Sequence, residues 1–472
     1  MNNQTVKQRR PFTLSNIVFY LGFLFSLLLI TFSFFKIQGS GSVTYLVEKA
    51  DVIEHYLIII SVSSLFGFLF ILALKLETGI KNKIASLLVL TLPWIFIFEL
   101  YLATEKYKPV ENPRVSKASS IGIDFDTRNP FEIIEGMKKR GVYAFPNVTP
   151  YSLLSSDGLD STQGRIFPLG TISNSLTVIS NESGYFPIVH MDEHGFNNPK
   201  GLYVENEVDI ALVGDSFIEG GSLETSQTIA GVFRGFGLKA LNLGKDGNSP
   251  LSELAIIKEF AEPLKPKVVL WFYYINDLDR TQNGGDNLAL EMTSPFLRKY
   301  LDNKFSQDLI YKQELVDKTL KNMFLLKEEL KSTEEVLNPS FNILSLIKLR
   351  NLREKYFLPR SKSSYMEDIS NFELIVTKAN HLVSSWGGKL YIVYLPPHSK
   401  YFYNAQDPSK EILLSSNNLI KIPFIDLHES VFIDEPDPLS LFPFREFGHY
   451  TPEGFYKITN ALFKRLKQDE AL

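Results

Sequence analysis

Four residues far apart in the chain, Ser216, Gly247, Asn276 and His449, carry what a nucleophilic serine reaction needs. A serine hydroxyl is a weak nucleophile until a base takes its proton. His449 is the best-placed imidazole for that task, because it lies on the loop just before the final predicted helix. An imidazole base in turn needs a carboxylate to orient it, and Glu446 stands three residues upstream. Negative charge building on an attacked carbonyl oxygen needs fixed donors, which the N–H groups of Ser216 and Gly247 and the amide of Asn276 can supply. Asp215 and Asp277 flank the serine and the asparagine as supporting carboxylates. Singly, each residue is ordinary: Gly-Asp-Ser is common turn chemistry, Gly247 suits any turn, and Asn276-Asp277 suits any cap. Their order, each after a particular kind of element, is what carries information.

Those elements are legible. Ile210–Val213 is a short apolar run of strand character, ending in Gly214, where the backbone is expected to turn sharply. Thr225–Phe236 has helical spacing and Gly237 as a stop. Leu238–Leu243 leads into the turn holding Gly247. Lys267–Tyr274 leads into Ile275-Asn276-Asp277, and Lys389–Leu395 into Pro396-Pro397-His398. Ile422–Leu427 is a weaker strand. Ser252–Phe260 and Asn371–Trp386 are helical in pattern. Apolar strands alternating with helices predict a parallel sheet covered on both faces, which gathers the turns after the strands along one edge. Thr451 as N-cap with Pro452 at the first position starts the final helix.

In this order, Gly214-Asp-Ser216-Phe217, Gly247, Asn276-Asp277 and Glu446-Phe-Gly-His449 resemble the four blocks of the SGNH (GDSL-type) hydrolases. The resemblance covers about residues 208–282 and 372–466. It implies a flavodoxin-like three-layer α/β/α sandwich and an ester- or acyl-directed serine mechanism without cofactor or metal. It implies Ser216, His449 and Glu446 as catalytic residues, with Ser216, Gly247 and Asn276 as the oxyanion hole. The chain departs from the family pattern at Tyr274, where a glycine is usual, and at Glu446, where an aspartate is usual. A serine esterase acting on O-acyl, chiefly O-acetyl, esters of a surface glycan or glycolipid is the expectation. The alternatives are an O-acyltransferase using the same acyl-serine, and a non-catalytic glycan-binding subunit docked on polysaccharide-assembly membrane proteins.

The chain of 472 residues has a net charge of −4, which gives no electrostatic case for nucleic acid as a partner. It has no cysteine, so disulfides, thiolate metal sites and a cysteine nucleophile are excluded. Phe12–Phe35, Tyr56–Leu74 and Ile84–Ala103 each approach the ~20 residues that cross a bilayer. Lys7, Arg9 and Arg10 precede the first, and Lys75, Lys81 and Lys83 lie between the second and third. The loop over 38–55 is acidic by contrast. This bias predicts a cytoplasmic amino terminus and an extracytoplasmic remainder, periplasmic at an inner membrane. The organisation expected is a three-span anchor over 1–105, a linker and small β-containing pre-domain over 106–207, and an α/β domain over 208–472 with a helical insertion at 283–365. His190, Asp192, Glu193 and His194 cluster in the pre-domain, and a polar turn explains them better than a metal site, because no paired ligand motif is present.

Overall fold

The computed structural model describes residues 13–39, 46–106, 112–278, 287–334, 349, 352, 363–405, 407–416, 419 and 421–472. Contacts divide the chain into two units, residues 1–110 with 338–364, and residues 111–337 with 365–472.

The first unit holds three helices, Leu14–Gly39, Leu46–Ala73 and Thr78–Lys106, all long and apolar enough to cross a membrane. Many of their large side chains face outward, including Phe25, Leu28, Leu65, Phe68 and Trp94. That exposure is costly in water and natural in lipid, where the helix satisfies its own backbone groups. Small residues allow the first two helices to approach. Gly22 faces the ring of Phe70, and a Cβ there would fall 2.7 Å from it. Lys7, Arg9 and Arg10 lie outside the described residues.

The second unit is built on a five-stranded parallel sheet, preceded by five short strands. These are β1 (Ala144–Pro146), β2 (Leu159–Ser161), β3 (Gly164–Ile166), β4 (Leu176–Val178) and β5 (Ile188–His190). β1, β4 and β5 form a small mixed sheet, and β2 and β3 form a hairpin. The main strands are β6 (Ile210–Val213), β7 (Ala240–Asn242), β8 (Val268–Tyr273), β9 (Lys389–Tyr394) and β10 (Phe424–Asp426). Their spatial order is β10-β9-β8-β6-β7, with every pairing parallel. The order reverses between β6 and β8, which makes the carboxyl ends of those two strands the switch point where open α/β sheets bind ligands.

Alternation along the strands gives the sheet two buried faces. Ala211, Val213, Val269, Trp271 and Tyr273 enter one apolar cluster, with Leu251, Leu254, Phe372 and Val376 from the helices Pro250–Ile256 and Ser363–Ser385. Ile210, Leu212, Val268, Leu270 and Phe272 enter the other, with Ile229, Phe233, Phe455, Ile458 and Leu462 from Ile229–Gly235 and Pro452–Gln468. A strand buried on both sides must be apolar throughout, and Ile210–Val213 and Val268–Tyr273 are.

The single helix expected over Thr225–Phe236 is broken at Thr228, whose hydroxyl caps the N–H of Gly231 at 3.0 Å. Gly214 is also there for a different reason than turning. Its φ is not in the left-handed region, but a Cβ would lie 2.5 Å from Ile218 and 3.2 Å from Phe272. Of the insertion expected at 283–365, the described part includes the helices Asn287–Thr293 and Gln313–Glu334. The latter packs Val316 and Leu320 into the first cluster. Most of 335–362 lies outside the described residues.

Candidate active site

Ser216 opens the one-turn helix Ser216–Glu219 directly after β6. Asp215 is its N-cap, accepting the N–H of Phe217 at 2.9 Å. The Ser216 hydroxyl lies 2.7 Å from Nε2 of His449, although 233 residues separate them. The imidazole is held sideways by packing. The ring of Phe217 has its centroid 4.6 Å away, and Gly221 backs the other side so closely that a Cβ would stand 2.8 Å from Cε1.

The carboxylate that orients His449 is Glu182, not Glu446. Oε2 of Glu182 accepts the backbone N–H of His449 at 2.7 Å and lies 3.1 Å from Nδ1. The ring approach is a close ion pair rather than an aligned hydrogen bond. Oε1 of Glu182 accepts from Nη2 of Arg114 at 3.1 Å, and the same nitrogen donates to the carbonyl of Phe447. Glu446 instead pairs with Lys117 at 2.6 Å. The cause is backbone geometry: Phe444 and Arg445 both have positive φ, 54° and 60°, so the chain turns before Glu446 reaches the imidazole. Arg445 itself pairs with Asp437.

Electrostatics follow from this contact. Burial would raise the pKa of Glu182, but the charge and hydrogen bonds of His449, together with Arg114, pull it down to about 2. Burial disfavours the charged form of His449, yet Glu182 overrides this, with Asp215 and Asp246 adding, and the imidazole pKa is raised. Glu182 therefore stays ionised, and an imidazolium formed at His449 is stabilised.

The turns after β6, β7 and β8 carry Ser216, Gly247 and Asn276 in that order. Gly247 occupies the left-handed region at φ +73°, and a Cβ there would press on Tyr151 at 3.0 Å. Its loop is anchored from below by Lys245. That ammonium is fully buried and donates to Asn147 Oδ1 at 2.6 Å and to Glu219, whose other oxygen accepts the N–H of Asp246 at 2.9 Å. The amide of Asn276 donates to Asp215 Oδ2 at 3.2 Å, which fixes which end of the amide is nitrogen. Asp277 accepts the N–H of Tyr274 at 3.0 Å and closes the turn bearing Asn276. Tyr274, where a glycine was expected from the resemblance, is buried and lays its ring against Phe217 at 4.4 Å.

The structure thus brings Ser216, His449, Asp215 and Asn276 together, places Gly247 on the neighbouring turn, and removes Glu446 from the imidazole. Glu182, Arg114 and Gly221 were missed. One signal for Glu182 was available: it is the only acidic residue between Asp160 and Asp192. The cluster after β5 is a folded turn. Asp192 accepts the N–H groups of His194 and Phe196, the amide of Asn198 and the hydroxyl of Tyr203. Burial raises its pKa to about 6 against those bonds. Among the described residues no group of acidic and histidine side chains has metal-binding geometry. No protein-family model matches this chain, and no curated protein matches it.

Proposed function

We propose that this chain is a membrane-anchored serine esterase of the SGNH type, acting outside the cytoplasm on O-acyl esters, O-acetyl above all, of a surface glycan or glycolipid. The observation that carries the reading is the 2.7 Å approach of the Ser216 hydroxyl to Nε2 of His449, with the Glu182 carboxylate on the far nitrogen. A nucleophile, a base and an orienting group in that sequence are the requirement for acyl transfer. Ser216 attacks the ester carbonyl while His449 takes its proton. The oxygen of the tetrahedral intermediate is held by the amides of Ser216, Gly247 and Asn276. The imidazolium protonates the departing sugar oxygen, which leaves as a hydroxyl, and water, deprotonated by His449, releases the acyl group. The switch-point position between β6 and β8 supports the same assignment.

The extracytoplasmic setting rests on the basic flanks of the three apolar helices. The glycan or glycolipid substrate rests on a sequence order, three apolar spans followed by SGNH-type blocks, that is similar to bacterial envelope proteins linked to surface-glycan modification. The test is fluorophosphonate labelling of the full-length, detergent-purified protein beside Ser216→Ala and His449→Ala. Labelling that depends on both residues is the expected result. Wild-type protein that fails to label where a serine esterase does would overturn the reading. Free acetate released from an acetylated glycan identifies water as the acceptor, and acetyl appearing on added glycan identifies a sugar hydroxyl.

A further inference from the structure

We propose that Arg114 is a positioning residue of the catalytic site, so that the short helix Pro113–Ser120 is a working part of that site and not a spacer. The proposal rests on the serine chemistry above and concerns what holds its histidine. Arg114 sits in the first turn of this helix, where Asn112 caps its N–H at 3.0 Å. Its side chain is 14 % exposed. One guanidinium nitrogen bridges two acceptors that converge on His449: Oε1 of Glu182, which holds the imidazole, and the carbonyl of Phe447, two residues before it. Gly448 passes so near that a Cβ would fall 2.4 Å from Nη2 of Arg114 and 2.6 Å from Oε2 of Glu182. One turn along the same helix, Lys117 pairs with Glu446. Three consecutive residues of the histidine loop, Glu446, Phe447 and Gly448, are therefore gripped by a helix more than 300 residues earlier in the chain.

The chemistry favours arginine at this point. The two N–H bonds of a planar guanidinium nitrogen point in fixed directions at these two oxygens, whereas a lysine ammonium is a point charge on a flexible stem. The charge also matters. The groups facing His449 are Glu182, Asp215 and Asp246, all acidic, with Arg114 behind Glu182 as the opposing cation; Lys117 and Glu446 neutralise each other beyond Phe447. Removing the cation leaves the carboxylate to act on the imidazole alone. His449 then keeps its proton to higher pH, and the acid limb of the reaction moves up.

The experiment compares wild type, Arg114→Gln and Arg114→Lys as full-length protein in detergent, reading the rate of fluorophosphonate labelling against pH. The His449 titration is followed by NMR of 13Cε1-labelled histidine, assigned with His449→Gln. Arg114→Gln is expected to slow labelling about 10- to 100-fold and to move both the acid limb and the imidazole titration up by roughly half a pH unit or more. Arg114→Lys is expected to restore the limb and only part of the rate. A wild-type rate and limb in Arg114→Gln would overturn the proposal. So would a slowed variant whose limb and titration stay put, because that is what a purely structural arginine gives. If wild type does not label, the serine chemistry fails. The imidazole titration then decides the Arg114 assignment by itself: an upward move sustains it, and no move overturns it.

Discussion

Replacing Glu182 by glutamine keeps the size of the side chain and removes its charge. Glutamic acid ordinarily titrates at 4.5, and here it is held at about 2. That difference corresponds to roughly 3 kcal/mol favouring the ionised, partnered form. The carboxylate side chain is only 11 % exposed, so solvent screens little of this. Its folded-state pKa is depressed, so its contribution is complete above 4.5 and disappears as pH falls through about 2. His449 has the opposite sign: its pKa is raised, so its contribution is complete below 6.5 and disappears as pH rises through the folded value. The pair therefore supports the fold most strongly between about pH 4.5 and 6.5. Glu182→Gln should lose up to about 3 kcal/mol of stability in that window, less whatever the glutamine carbonyl recovers at the His449 N–H. It should also lower kcat about 10²- to 10⁴-fold, because the imidazolium loses its counter-charge. The assay is hydrolysis of p-nitrophenyl acetate by full-length protein, with urea unfolding at pH 5.5 and 8. Glu446→Gln is the comparator and should stay within about 3-fold of wild type, since it disturbs a partly exposed ion pair. Wild-type activity in Glu182→Gln alongside collapse of Glu446→Gln would refute the assignment of the orienting carboxylate.

Three further predictions follow from the same geometry. Gly221→Ala should fold normally, because its backbone lies outside the left-handed region, yet lose about 10²-fold or more in phosphonate labelling, since the new methyl would meet the His449 ring at 2.8 Å. Asn276→Ala should lower kcat by about 10²–10³ with little change in KM, the signature of a lost oxyanion donor; near wild-type turnover would remove that role. Lys245→Met should lower stability by about 3–5 kcal/mol, because it strands the buried Glu219 carboxylate, and adding Glu219→Gln should recover most of the loss in thermal unfolding.

Much of this was readable from residue types. β6 and β8 were legible because each is buried on both faces and so is apolar without alternation, as in Val268–Tyr273. Ser216, Gly247 and Asn276 were legible because a parallel sheet puts its outgoing turns on one edge. Glu182 was not, because its one local mark, being the only acidic residue between Asp160 and Asp192, says nothing about which histidine it meets. It lies in the turn Asn181-Glu-Ser-Gly184, and what makes it special is a contact 267 residues away. Glu446 misled because spacing along a chain says nothing about two successive left-handed residues before it. Gly214 was found for the wrong reason: crowding by Ile218 and Phe272, rather than backbone freedom, is a property of the assembled core.

The three parts of the proposed machinery are strung far apart. Glu182 precedes the sheet, Ser216 follows its first strand, and His449 arrives 233 residues after the serine. At about 5–20 residues per second, a ribosome takes roughly 10–50 s to cover that interval. Throughout it the growing chain carries a serine without its base, and β9 and β10, which complete the sheet, are made only in its later part. In the proposed reading the hydroxyl therefore has no base until the segment around His449 is made and folds back onto it.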